Sequence, residues 1–155
     1  MIVQIQAISD NSRSMQQIEK FLKDRMTEFR ARVAAHMVNV IIDESPVDTG
    51  TYIMAHVAGP KESSEAPSRS SHGKRRGRNK KQFQGLARGN LMRSVSAKAI
   101  QASNEVWFRN RALHAGRVEY LGWNGRLPYR VYAKTRAAYP RIVEQVIGEM
   151  GLDRR

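Results

Sequence analysis

The chain has 155 residues, no cysteine, and 27 lysines and arginines against 14 acidic residues, a formal net charge of +13. Such a length fits one domain, 1–155, and the missing cysteines exclude disulfides, thiolate catalysis and cysteine-bound zinc. His36, His56, His72 and His114 are scattered without HxxxH or HExxH spacing, so they read as ordinary polar side chains, and neither a metal nor a cofactor is expected.

At the start of the chain, residues 2–8 alternate Val3, Ile5 and Ala7 with Gln4 and Gln6, which predicts a short half-buried strand. Neither an export signal nor a membrane span of ~20 apolar residues is visible, so we expect a soluble protein made in the cytoplasm. Asp10, Asn11 and Ser12 should break the strand, and Ser14 with Gln17 forms a capping box. Beyond it, Met15, Ile18, Leu22, Met26, Phe29, Val33, Met37 and Val40 recur at steps of three and four, the stripe of a long amphipathic helix. That stripe either packs on the protein's own sheet or, over so many turns, forms a seam between subunits.

Pro46 ends the helix by disfavouring helical backbone at Ser45. The stretch Pro46, Val47, Asp48, Thr49, Gly50 reads as a structural turn in which Asp48 accepts from backbone amides and Gly50 takes positive φ. Asp-Thr-Gly is also the aspartic-protease triplet. Its flanks, Glu44-Ser45-Pro46 before and Thr51 after, lack the buried apolar strand that such an enzyme needs, which favours the turn. Residues 52–57 suggest a short strand.

From residue 61 the character changes. Residues 61–90 carry nine lysines and arginines against Glu62 and Glu65, more than half of the chain's excess charge, whereas 15–44 is balanced with five of each sign. Residues 61–82 hold nothing apolar larger than Ala66 and Pro67, so we read 61–85 as a mobile basic insertion unable to offset its own ordering entropy. Within it Lys74, Arg75, Arg76, Arg78, Lys80 and Lys81 are the candidate DNA-binding residues, because cations at this density bind phosphates by counterion release without a fixed fold; contact with an acidic protein, or a solvated loop that keeps the protein soluble, are the alternatives. With Phe83 the only aromatic nearby, stacking on single strands is not indicated.

Structure should resume near Leu86. Leu91, Val95 and Ile100 lead through a turn at 101–104 into a strand at 105–110, which together predict a hairpin. Residues 117–121 fit a strand or a short helix, and Asn124-Gly125 a tight turn. The last element is a helix bearing Ile142, Val143, Val146, Ile147 and Met150 and closed by Gly151, starting either at Pro140 or, kinked, near Thr135. The order of elements implies an α+β domain, a small antiparallel sheet against a long N-terminal helix and a C-terminal helix. Arginines from Arg109 to Arg141 interleave with Trp107, Tyr120, Trp123, Tyr129, Tyr132 and Tyr139, the composition of interface anchors. We expect Glu119, Tyr120, Trp123, Arg130 and Tyr132 at subunit contacts. A small ribonuclease would also use Arg, Tyr and His, but no acid–base pair at a telling spacing supports one, and no enzyme is expected.

Several of these segments, in this order, form a resemblance. Ser45-Pro46-Val47-Asp48-Thr49-Gly50 after a long helix, Gly89-Asn90-Leu91-Met92-Arg93-Ser94-Val95, Val106-Trp107-Phe108-Arg109-Asn110, His114-Ala115-Gly116-Arg117-Val118-Glu119-Tyr120-Leu121-Gly122 and a closing amphipathic helix are similar to the tail-completion or head–tail joining proteins of lambda-like long-tailed phages. His114-Ala115 replaces the usual Tyr-Ala, Leu121 intrudes between Tyr120 and Gly122, and the basic insertion is extra. The resemblance implies a structural virion protein of the phage neck, in a sixfold homo-oligomeric ring around the DNA channel. Its implied partners are the tail-terminator and head-closure or connector proteins and packaged double-stranded DNA, with no membrane. A stand-alone basic nucleic-acid-binding protein, ribosomal or nucleoid-like, is the alternative from the charge alone.

Overall fold

The structure is a computed structural model that describes residues 2–47, 50–59, 79–101, 105–122 and 125–152, with side chains from Ser14 onward in the first helix. Helix α1, Ile2–Glu44, is followed by α2, Thr51–Met54, and β1, His56–Gly59. Then come α3, Lys80–Ser94, α4, Ala97–Gln101, β2, Trp107–Asn110, a π-helical segment Arg117–Leu121, and α5, Val131–Glu149. The two strands pair antiparallel with His56 opposite Asn110 and Gly59 opposite Trp107, so the fold is α+β as expected.

The strand expected at 2–8 is instead helix, continuous with the rest of α1. Its alternation is real in the sequence, but a strand must find a partner for every amide outside itself, whereas extending an existing helix adds a bond for each residue fixed. Ser14 accordingly caps nothing and sits inside a helix about 65 Å long.

The second half of α1 is the spine of the body and is covered on two faces. Ala34, Val38, Ile41 and Ile42 enter the main core with Tyr52, Ile53, Phe83, Ala87, Leu91, Val95, Ile100, Val118 and Val131. Val33, flanked by Phe29, Met37 and Val40, packs against Ile142 and Val146 of α5 and Met150 just past its end. The stripe therefore meets α5 and not the two-stranded sheet.

Helix α3 corrects the boundary of the basic insertion. Asn79 accepts from the Gln82 amide at 3.0 Å while the Gln82 side chain accepts from the Asn79 amide at 3.2 Å, a reciprocal cap that starts a helix at Lys80. Phe83, Ala87, Leu91 and Val95, each four residues on, then form one buried ridge. Because α3 and α4 occupy this stretch up to Gln101, no hairpin forms there, and β2 pairs back across the insertion to β1. The strand expected at 52–57 is divided between α2 and β1.

Gly50 has φ +82, the positive value expected of it, and a Cβ there would stand 2.3 Å from Phe83 Cε1. Only glycine meets both conditions, so the turn and the first ridge residue of α3 fix each other. Of the other turn residues, Pro46 is half-buried, and Asp48 and Thr49 lie outside the described residues.

Helix α5 runs unbroken through Pro140, which is exposed, so the amide that proline lacks leaves a carbonyl facing water. Thr135 caps nothing: its hydroxyl donates to the Val131 carbonyl at 2.9 Å. The C-terminus closes as expected, with Gly151 at φ +62 and the amides of Gly151 and Leu152 donating to the carbonyls of Gly148 and Ile147. Among the described residues no helix is long and apolar enough to cross a membrane.

Candidate functional site

The densest polar chemistry lies where the end of α1, α2, both strands, the π-helical segment and the start of α5 meet. Ser45, one residue past α1, is buried and donates its hydroxyl proton to the Ile41 carbonyl at 2.6 Å. That hydroxyl has no second proton, so the contact of 2.7 Å with His56 Nε2 is made by the ring, which donates. The other nitrogen, Nδ1, is then an acceptor, and the Tyr132 hydroxyl lies 2.8 Å from it. Asn110, paired with His56 across the sheet, donates to the Tyr52 carbonyl at 2.9 Å and points toward Nδ1 at 3.2 Å, while its oxygen accepts from the Ala112 amide. The rings of Tyr52 and Tyr132 pack edge-on against the imidazole with centroids 5.1 and 5.7 Å away.

Glu119 completes the cluster. The π-helical segment, held by Gly122 donating to the Arg117 carbonyl, turns this side chain inward until it is 5% exposed. There it accepts the Tyr52 hydroxyl proton at 2.5 Å and lies 3.4 Å from the Tyr132 amide. Arg130, the N-cap of α5, has φ 53 and makes no side-chain cap. The carboxylate from another segment thus takes over the capping role at the positive end of the helix dipole.

Burial sets the electrostatics. It pushes the His56 pKa down to about 3. Tyr52 is raised far above its ordinary value by burial first and by the hydrogen bond to Glu119 second, and Tyr132 by burial and the nearby Glu119 charge. Ser45 and His56 have the distance of a nucleophile and its base, but the chemistry opposes that role. The serine proton is committed to a carbonyl, the imidazole is far too weak a base near pH 7, and its second nitrogen faces a phenol where a triad has a carboxylate. As arranged, the cluster is a fully paired polar core that ties six segments together.

Beside it opens a cleft of about 760 Å³ bordered by Ser45, Gly50, Tyr52, Lys80, Arg126 and Tyr129. Ion pairs from Arg88 to Asp43 at 2.6 Å and from Lys134 to Glu44 at 2.5 Å tie α3 and α5 to the end of α1. Among the described residues no group of three or more His, Asp or Glu side chains is placed to hold a metal.

The residues singled out in the sequence are placed as follows. Lys80 and Lys81 are exposed in the first turn of α3, and Lys74, Arg75, Arg76 and Arg78 lie outside the described residues. Glu119 is buried and Tyr132 half-buried, each hydrogen-bonded within its own chain. Tyr120 and Arg130 are exposed, and Trp123 lies outside the described residues. Sequence reasoning passed over Ser45, Tyr52 and His56 as chemistry. The separations of His56 from Ser45 by 11 residues and from Tyr132 by 76 follow no local period that would reveal the contacts.

Comparison with known proteins finds no matching family model, no matching curated protein and no matching solved structure.

Proposed function

We propose that this chain is a non-enzymatic structural subunit of a phage neck, one that completes the tail and joins it to the head in a ring around the DNA channel. The observation that carries this reading is the convergence of the segments resembling tail-completion proteins. Ser45 from the first, Asn110 from the strand and Glu119 from the Val-Glu-Tyr stretch meet in one buried hydrogen-bonded cluster. Their chemistry is spent on holding the segments together, as a scaffold requires, and none is left poised to react. The surface fits a protein that works among neighbours: Leu113, Tyr120, Leu121 and Leu127 are each more than three-quarters exposed, and Arg130 is exposed as well. We therefore assign subunit contacts to the exposed Tyr120 and Arg130, and from the sequence alone to Trp123.

The basic arm serves packaged DNA in this reading. Lys80 and Lys81 stand at the start of α3, where the helix dipole disfavours cations and the first turn holds no acidic residue; a phosphate placed there would relieve that repulsion. Contact with phosphates alone should be indifferent to sequence and steeply salt-dependent. Neutralising about six of them implies roughly a thousandfold loss of affinity between about 50 and 200 mM salt. Replacing Lys74, Arg75, Arg76, Arg78, Lys80 and Lys81 with Gln should flatten the salt slope of duplex binding by the purified chain, while particles carrying the variant still join heads to tails. An unchanged slope, or particles that fail to join, would remove the DNA role. Tight duplex binding by the chain alone, together with its absence from purified particles, would favour the stand-alone nucleic-acid-binding protein.

A further inference from the structure

Every described side chain from Ser14 to Asp24 is exposed, and Met15, Ile18, Phe21, Leu22 and Met26 are each at least half exposed. Such an apolar series on one helix is not explained by packing among the described residues. It is the forward continuation of the stripe that, from Phe29 onward, α5 covers. We infer that this stretch of α1 pairs with the same stretch of a second copy, antiparallel and centred on Leu22.

Three features favour a second copy. First, the exposed stripe is symmetric about Leu22, with Ile18 and Met26 four residues away on either side. A twofold axis beside Leu22 therefore sets Ile18 against Met26 of the second copy and Leu22 against itself, the self-complementarity an isologous contact demands. Second, the flanks agree in charge. Glu19 and Lys23 lie on one flank a turn apart, where they already pair at 2.7 Å, so the twofold axis brings Glu19 alongside Lys23 of the second copy. Phe21 lies on the other flank and meets its own counterpart near the axis. Third, the orientation suits the net charge. An antiparallel pair sends the two basic bodies to opposite ends of a helix pair tens of ångströms long, well beyond the screening length of about 8 Å at physiological salt. A parallel pair would set them side by side.

This inference stands apart from the neck reading and is tested on the purified full chain. Sedimentation equilibrium should give twice the 17.6 kDa of the chain. Leu22→Glu should return it to the monomer mass with the thermal midpoint of the dilute protein unchanged, since that side chain is exposed. The native chain has no cysteine, so oxidation reads the register directly: Ile18→Cys mixed with Met26→Cys should form the mixed disulfide, while either alone stays largely uncoupled. A chain that is monomeric throughout would overturn the inference. So would association unaffected by Leu22→Glu, or self-coupling of Ile18→Cys as in a parallel pair.

Discussion

Replacing Glu119 with leucine will destabilise the fold by about 3 kcal/mol, since each buried polar group left without its partner costs about 1–3 kcal/mol. Two donors lose an acceptor at once: the Tyr52 hydroxyl and the Tyr132 amide in the first turn of α5. The leucine fits in volume, so the loss reports hydrogen bonding and the helix dipole more than a cavity. Glu119→Gln keeps an acceptor oxygen and should cost about 1 kcal/mol, the net worth of an ordinary hydrogen bond. Adding Tyr52→Phe to Glu119→Leu should recover part of the loss, because the orphaned hydroxyl is then gone; urea unfolding of the four proteins in a double-mutant cycle measures this coupling. Additive losses, or a cost for leucine no larger than for glutamine, would show that the carboxylate is a bystander.

Acid will weaken the fold earlier than its carboxylates alone require. Unfolded, His56 takes up a proton near its ordinary 6.5; folded, burial holds it neutral down to about 3. Between those values the unfolded chain binds the extra proton, so stability is complete above about pH 6.5 and falls as pH drops toward 3. The loss from this one ring should reach about 2 kcal/mol by pH 5. Protonation would also put a donor at Nδ1, against the Tyr132 hydroxyl that donates to it in the neutral cluster. His56→Phe lowers stability at pH 7 by leaving that hydroxyl unpaired, yet it should flatten the curve between about pH 6.5 and 5. Chemical denaturation across this range checks it, and equal slopes for the two proteins would place the titration elsewhere.

These two predictions rest on residues whose role the sequence hardly shows, and the reason is physical. Periodicity records which face of an element is apolar, so the long stripe of α1, the C-terminal helix and the Gly151 terminus were legible. It does not record what covers the face, and the stripe divides into a half packed on α5 and a half left exposed. The strand expected at 2–8 failed because alternation is a weak cue beside the ease of extending a long helix. The start of α3 was hidden because its ridge begins at Phe83, one residue beyond a stretch with almost no apolar side chains, although Asn79 and Gln82 had the capping pattern. Of the polar cluster, Ser45 and Asn110 were visible only as parts of a family-like pattern and Glu119 and Tyr132 as expected subunit contacts, while Tyr52 and His56 carried no local sign. Hydrogen bonds between segments 11 to 76 residues apart are fixed by tertiary packing, which one sequence read alone does not display.

The central claim, that this chain joins head to tail, is tested most directly by removing it from the phage and imaging the lysate by electron microscopy. Filled heads and finished tails accumulating side by side, unjoined, with joining restored when the chain is supplied in trans, is the predicted result. Complete infectious particles in its absence would contradict the account.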